Sequence, residues 1–157
     1  MRRNMAAVLI LAHAPLASAL QAVAGHVYAD CGHPVLALDV QPQATPEQVR
    51  QQALALMATA PDADWLVLTD VFGATPCNAA MLLSDPLHVR VVTGVNVPML
   101  WRSLCYAREP LDKLVARAVD GATQGVMQVS TARPQNQSPT AFPRDPARDQ
   151  VDHHHQQ

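Results

Sequence analysis

The chain has 157 residues, 49 % of them apolar and 15 % charged, with a net charge of −2. That is enough for one domain with a full core and too little for two ordinary ones. With no basic patch or run, nucleic acid is excluded as a partner, and no apolar stretch is long enough for direct membrane insertion. Three widely spaced cysteines, Cys31, Cys77 and Cys105, form no C-x-x-C pair. They read as reduced thiols of a cytoplasmic protein, not as a disulfide frame or a zinc site.

The first four residues, Met1 to Asn4, and the apolar run Met5–Ala12 resemble a secretory signal peptide. His13 and Pro15 interrupt that segment, and its removal would delete a strand, so residues 6–12 are read as a strand buried on both faces. It stops at His13-Ala-Pro15. Leu16, Leu20, Val23 and Val27 then recur at helical spacing. Residues Pro34–Val40 read as a second strand. Thr45-Pro-Glu-Gln48 opens the next helix with Thr as N-cap, Pro at N1 and Gln in the capping-box position.

Trp65–Thr69 is a third strand and ends on Asp70. After a Gly turn at Gly73, Thr75 is placed as the N-cap and Pro76 as N1 of a helix running through Leu83. His88–Thr93 is a fourth strand, followed by a second turn at Gly94 and a helix that Asn96 would cap. Another helix runs from Pro110 to about Val119, and Gln124–Ser130 is read as a short last strand. From Thr131 the composition turns to Pro, Gln, Arg, Asp and Ser, with little to bury. Residues 1–130 are therefore expected to form the domain and 131–157 a disordered tail.

Strands alternating with helices in this way make an α/β protein with a doubly wound, mostly parallel sheet. An order of 2-1-3-4 sets the first and third strands side by side. His13 and Asp70 then face each other across the crevice at the carboxyl edge, where ligands bind in such sheets. An imidazole beside a carboxylate there can be a general base, a metal ligand or a nucleophile that takes up a phosphoryl group. The carboxylate would fix the ring tautomer. No Lys or Arg lies in either motif, so amides after His13 and around Gly73–Thr75, with the Thr75 hydroxyl, would have to hold an anion. No G-x-S-x-G, G-x-G-x-x-G or P-loop pattern is present.

Asp70-Val-Phe-Gly-Ala-Thr-Pro-Cys-Asn-Ala-Ala80 resembles the D-x-[WF]-G-[GA]-[ST]-P-x-N-A-A signature of the mannose-family enzyme IIA of the phosphoenolpyruvate-dependent sugar phosphotransferase system. Val92-Thr-Gly-Val-Asn-Val-Pro-Met-Leu100 resembles that family's second motif, and the strand ending in His13 matches in place and type. The resemblance covers residues 5 to about 130. It implies that His13 accepts a phosphoryl group from the carrier HPr and passes it to a IIB component, with Asp70 orienting the ring. Ala14, Gly73 and Thr75 would bind the phosphate, while Phe72, Gly94 and Asn96 would shape the crevice. It also implies a homodimer in which the last, antiparallel strand is exchanged, with no cofactor and no metal.

Ala14-Pro15 departs from the Gly that often follows the family's histidine, and Pro15 has no N–H to offer a phosphate. No IIB domain follows in this sequence, so the acceptor is expected on another chain. The alternative is a regulatory protein of the same system whose phosphorylation state controls a partner. The phosphocarrier subunit of a dihydroxyacetone kinase fits less well, because its motif after the aspartate differs. His88 begins its strand at the opposite edge, and with His26 and His33 it is read as structural or surface. His153–His155 make no preorganised metal site.

Overall fold

A computed structural model describes residues 5–27 and 34–130 of the chain. Four strands, β1 (Ala7–His13), β2 (Val35–Val40), β3 (Trp65–Thr69) and β4 (Val89–Thr93), form one all-parallel sheet in the order β2-β1-β3-β4. Five helices accompany them: α1 (Leu16–Val27), α2 (Pro46–Met57), α3 (Thr75–Met81), α4 (Val97–Cys105) and α5 (Leu111–Gln124). The expected α/β class and strand order hold. The register sets Ala12 opposite Asp39, His13 opposite Val40 and Leu11 opposite Thr69.

The two apolar faces of the sheet follow from the period of two along each strand. Val8, Ile10, Leu66, Leu68 and Val92 pack on one side with α1, α4 and α5, through Leu20, Leu100 and Leu114. Leu9, Leu11, Trp65, Val67 and Val89 pack on the other with α2 and α3, through Val49, Ala53 and Ala79. Within α1 the buried face is Ala17, Leu20 and Ala24, while Leu16 and Val27 are exposed. The expected stripe of large residues is therefore rotated, because alanines let the helix lie close to the strands.

The helix ends show which local readings survive in three dimensions. Thr45 caps α2 in a full capping box: the Gln48 N–H donates to Thr45 Oγ1 at 3.3 Å and the Thr45 N–H to Gln48 Oε1 at 3.0 Å. Asn96 caps α4, accepting the Met99 N–H at 2.9 Å. Thr75 does not cap α3. Gly73, at φ 84°, tightens the turn so that Ala74 becomes the N-cap, and the first intrahelical bond runs from the Asn78 N–H to the Ala74 carbonyl.

The expected last strand, Gln124–Ser130, is not formed within this single chain. Gln124 closes α5, and residues 126–130 join no ladder in this single chain. Helix is favoured up to that point because α5 is tied to α4: Asn96 Nδ2 donates to the Ala122 carbonyl at 3.2 Å and Arg102 Nη2 to Gln124 Oε1 at 3.3 Å.

The main body runs to Met127. Of the second unit, 128–157, only 128–130 are described, without helix or strand. Cys31, His33, His153–His155 and the tail from Thr131 lie outside the described residues. No helix among the described residues is long and apolar enough to cross a membrane.

Candidate functional site

His13 and Asp70 meet at the carboxyl edge because β1 and β3 are parallel neighbours, Leu11 lying opposite Thr69, and both end at that edge. His13 Nδ1 lies 2.6 Å from Asp70 Oδ2, and the same oxygen accepts the His13 backbone N–H at 2.9 Å. The other oxygen, Oδ1, accepts the Val71 N–H at 2.9 Å. The Asp70 backbone is held in turn: its carbonyl accepts the Gly94 N–H at 3.0 Å, and the Thr69 carbonyl accepts that of Val95 at 2.9 Å. Gly94, at φ 83°, makes the turn that brings this amide back.

Partial burial works to raise the Asp70 pKa. Hydrogen bonds from the His13 amide, the His13 ring and the Val71 amide outweigh it, with the nearby imidazole adding to their effect, and hold the carboxyl below its usual value of 3.8. Asp70 is thus ionised at neutral pH and only accepts. Nδ1 must carry a proton, so in the neutral ring the lone pair is on Nε2. The His13 side chain is 49 % exposed and that of Asp70 13 %. Nε2 therefore sits on an open ring whose orientation is set by Asp70.

The remaining predicted site residues fall into two groups. Gly73, Ala74 and Thr75 form the turn entering α3, and among the described residues their amides donate to no protein acceptor. Asn78 Nδ2 donates to the Gly73 carbonyl at 3.2 Å and fixes the turn. Phe72 is 75 % exposed beside Asp70 in sequence. Ala14 stands differently: its N–H donates to the Val40 carbonyl at 3.0 Å and is not available to a phosphate in this arrangement. Register, not sequence, decides this, because the turn after β1 continues the ladder with β2 by one more bond. Asn96 also turns inward, with both ends of its amide spent on α4 and α5.

Sequence reasoning missed Asp39 and Ser18. Asp39, near the end of β2, accepts the Ser18 N–H on Oδ1 at 3.1 Å and the Ser18 hydroxyl on Oδ2 at 2.6 Å. Ser18 Oγ also lies 3.1 Å from the Pro15 carbonyl. The signal in sequence is a lone acid inside the apolar run Val35–Val40.

A groove of about 990 Å³ lies between β2 and α2, lined by Leu38, Asp39, Gln48 and Gln52 among others, and takes in neither His13 nor Asp70. The His13 side chain, 49 % exposed, lies outside this groove. At the opposite edge, His88 Nδ1 lies 2.8 Å from Asp64 Oδ1. Among the described residues no group of three or more His, Cys, Asp or Glu side chains is arranged to hold a metal.

The family model described as PTS system fructose IIA component matches residues 7–119. The PTS system mannose-specific EIIAB component of Escherichia coli K12 is 43 % identical over 65 residues, a match covering 39 % of this chain and 20 % of that protein. The match thus spans about a fifth of the length of that relative. The mannose/sorbose specific IIA subunit from Enterococcus faecalis superposes with a TM-score of 0.74 at 21 % identity, covering 83 % of this chain and 98 % of that one. Component EIIA from Streptococcus agalactiae gives a TM-score of 0.68 at 23 % identity, covering 79 % and 97 %. At those identities the two structures establish a shared fold.

Proposed function

The chain belongs to the EIIA-man family of phosphotransferase-system IIA components, and we propose that within it His13 is the phosphoryl carrier, charged by HPr and discharged to a separate IIB component. One observation carries the reading: Asp70 holds Nδ1–H at 2.6 Å and leaves Nε2 free on a half-exposed ring. The Nε2 lone pair attacks the phosphorus of the donor's phosphohistidine. As the new N–P bond forms, the donor's N–P bond breaks and its electron pair returns to the donor nitrogen. The His13 ring keeps its Nδ1 proton and gains positive character, which the Asp70 carboxylate stabilises without becoming protonated.

The amides of Gly73, Ala74 and Thr75, with the Thr75 hydroxyl, are the donors we assign to the phosphoryl oxygens. Phe72 and Gly94 border the approach, and Asn96 contributes by holding α4. The reading needs no cofactor and no metal. It includes a cytoplasmic site of action and a homodimer formed through the β4 edge; exposed Val126 and Met127, just beyond α5, support the latter.

The test is phosphoryl transfer from labelled phosphoenolpyruvate, through enzyme I and HPr, to the wild type, His13→Ala and His88→Ala. Acid-labile, alkali-stable label is expected on the wild type and on His88→Ala but not on His13→Ala. A wild type that takes no label would overturn the reading. Chase of the labelled protein with a IIB component then tests the acceptor.

A further inference from the structure

The turn that carries His13 is clamped from β2, and the clamp is electrically charged. Asp39 stands opposite Ala12 in the sheet, one residue before Val40, whose carbonyl takes the Ala14 N–H. Both Asp39 oxygens are turned onto the first turn of α1, one to the Ser18 amide at 3.1 Å and one to its hydroxyl at 2.6 Å. A helix N-terminus carries a fraction of a positive charge and gathers anions. Here α1 starts three residues after His13, and a side-chain anion from the neighbouring strand already occupies its first turn. The amides of His13 and Ala14 are likewise committed, and Pro15 has none.

We propose that Asp39 is a positioning residue for phosphoryl transfer: its carboxylate fills the α1 terminus, denies that terminus to the phosphoryl group on His13, and so keeps the group transferable. This rests on His13 being the phosphoryl acceptor. A carrier must bind its cargo about as well as the donor does and no better, because every tenfold of extra stability is a tenfold loss in passing it on. No Lys or Arg lies in either motif to compensate charge. The balance is therefore set by which helix termini the phosphoryl group can reach. With the Ser18 amide of α1 taken, the turn entering α3 supplies the amides we assign to the group.

The experiment measures the equilibrium of phosphoryl exchange with labelled phospho-HPr for the wild type, Asp39→Asn, Ser18→Ala and the double variant Asp39→Asn/Ser18→Asp. Asp39→Asn keeps the shape and removes the charge. It should shift the equilibrium about two- to five-fold toward the phosphorylated protein, the size of one charge at a helix N-terminus, and slow spontaneous loss of the label. Ser18→Ala, which leaves the carboxylate in place, should match the wild type. The double variant restores a negative charge to the first turn of α1 and should return the equilibrium to the wild-type value, which a purely structural role for the Asp39–Ser18 bond does not predict.

An Asp39→Asn equilibrium that is unchanged or moved toward the unphosphorylated form overturns the proposal, as does a double variant that stays shifted. If Asp39→Asn is too unstable to assay, Ser18→Asp in the wild-type background adds a second negative charge. It must then move the equilibrium the other way, and no movement is equally fatal. Failure of the wild type to accept label would instead defeat the reading of His13, and is seen before any Asp39 variant is compared.

Discussion

Asn at position 70 retains the size of Asp but cannot satisfy the same three donors. Oδ2 takes the His13 amide at 2.9 Å and the ring Nδ1–H at 2.6 Å, while Oδ1 takes the Val71 amide at 2.9 Å. A carboxamide has one accepting oxygen. Turned toward His13, it sets its NH₂ against the Val71 N–H. Turned the other way, it offers the imidazole a donor and pulls the ring toward the tautomer with its proton on Nε2, where the attacking lone pair should be. A hydrogen bond to a charged group contributes about 1.5–3 kcal/mol, and each 1.36 kcal/mol is tenfold in rate, so Asp70→Asn should slow transfer about 10- to 150-fold. Rapid-quench single turnovers from phospho-HPr give the rate, and ¹⁵N shifts of the ring give the tautomer. Transfer by Asp70→Asn within about twofold of wild type, or a wild-type ring protonated on Nε2, would refute the reasoning. The variant also carries a pH signature. A carboxyl held below 3.8 in the fold contributes stability that is present above about pH 4 and lost as pH falls through the depressed value. The gap in unfolding midpoint between wild type and Asp70→Asn should therefore close on acidification below that point.

His88 should titrate above 6.5, because its bond to Asp64 favours the protonated ring and outweighs desolvation, with the charges of Asp64 and Asp85 adding to it. Any stability it adds is present below about pH 6.5 and lost as pH rises through the raised value; an NMR midpoint that Asp64→Asn fails to lower would contradict this. Thr45→Ala removes the capping box of α2 and should cost about 1 kcal/mol in denaturant unfolding, whereas a loss below about 0.3 kcal/mol would mean the α2 terminus is held by packing alone. Thr69 is fully buried and its hydroxyl has no partner among the described residues. Thr69→Val should thus raise stability by about 1 kcal/mol, and a destabilised variant would reveal a bond that the hydroxyl makes.

The parallel α/β class was legible in the sequence because strands alternate with helices, and the meeting of His13 with Asp70 followed once an order of 2-1-3-4 was assumed, which the sheet bears out. The capping box at Thr45 was legible because all of its parts are local. What escaped was what register decides. Whether the Ala14 amide is free depends on β2 reaching Val40, more than twenty residues away. Asp39 passed as one more residue of the second strand, since nothing nearby in sequence says that Ser18 will lie against it. The α3 cap moved from Thr75 to Ala74 for a smaller reason, the backbone freedom of Gly73. The last strand was read from a pattern that has no ladder to join within one chain, while α5 gains from its ties to α4 as far as Gln124.

One oxygen of Asp70 grips His13 twice, by its backbone and by its ring. The backbone bond fixes the end of β1 and the ring bond fixes the direction of the imidazole, so turning the ring away would cost one bond and leave the strand end in place. On the proposed reading, the partner that loads the ring and the partner that unloads it would therefore meet it in one orientation. Two partners using that one orientation would compete, so on this reading throughput would fall when either is in excess.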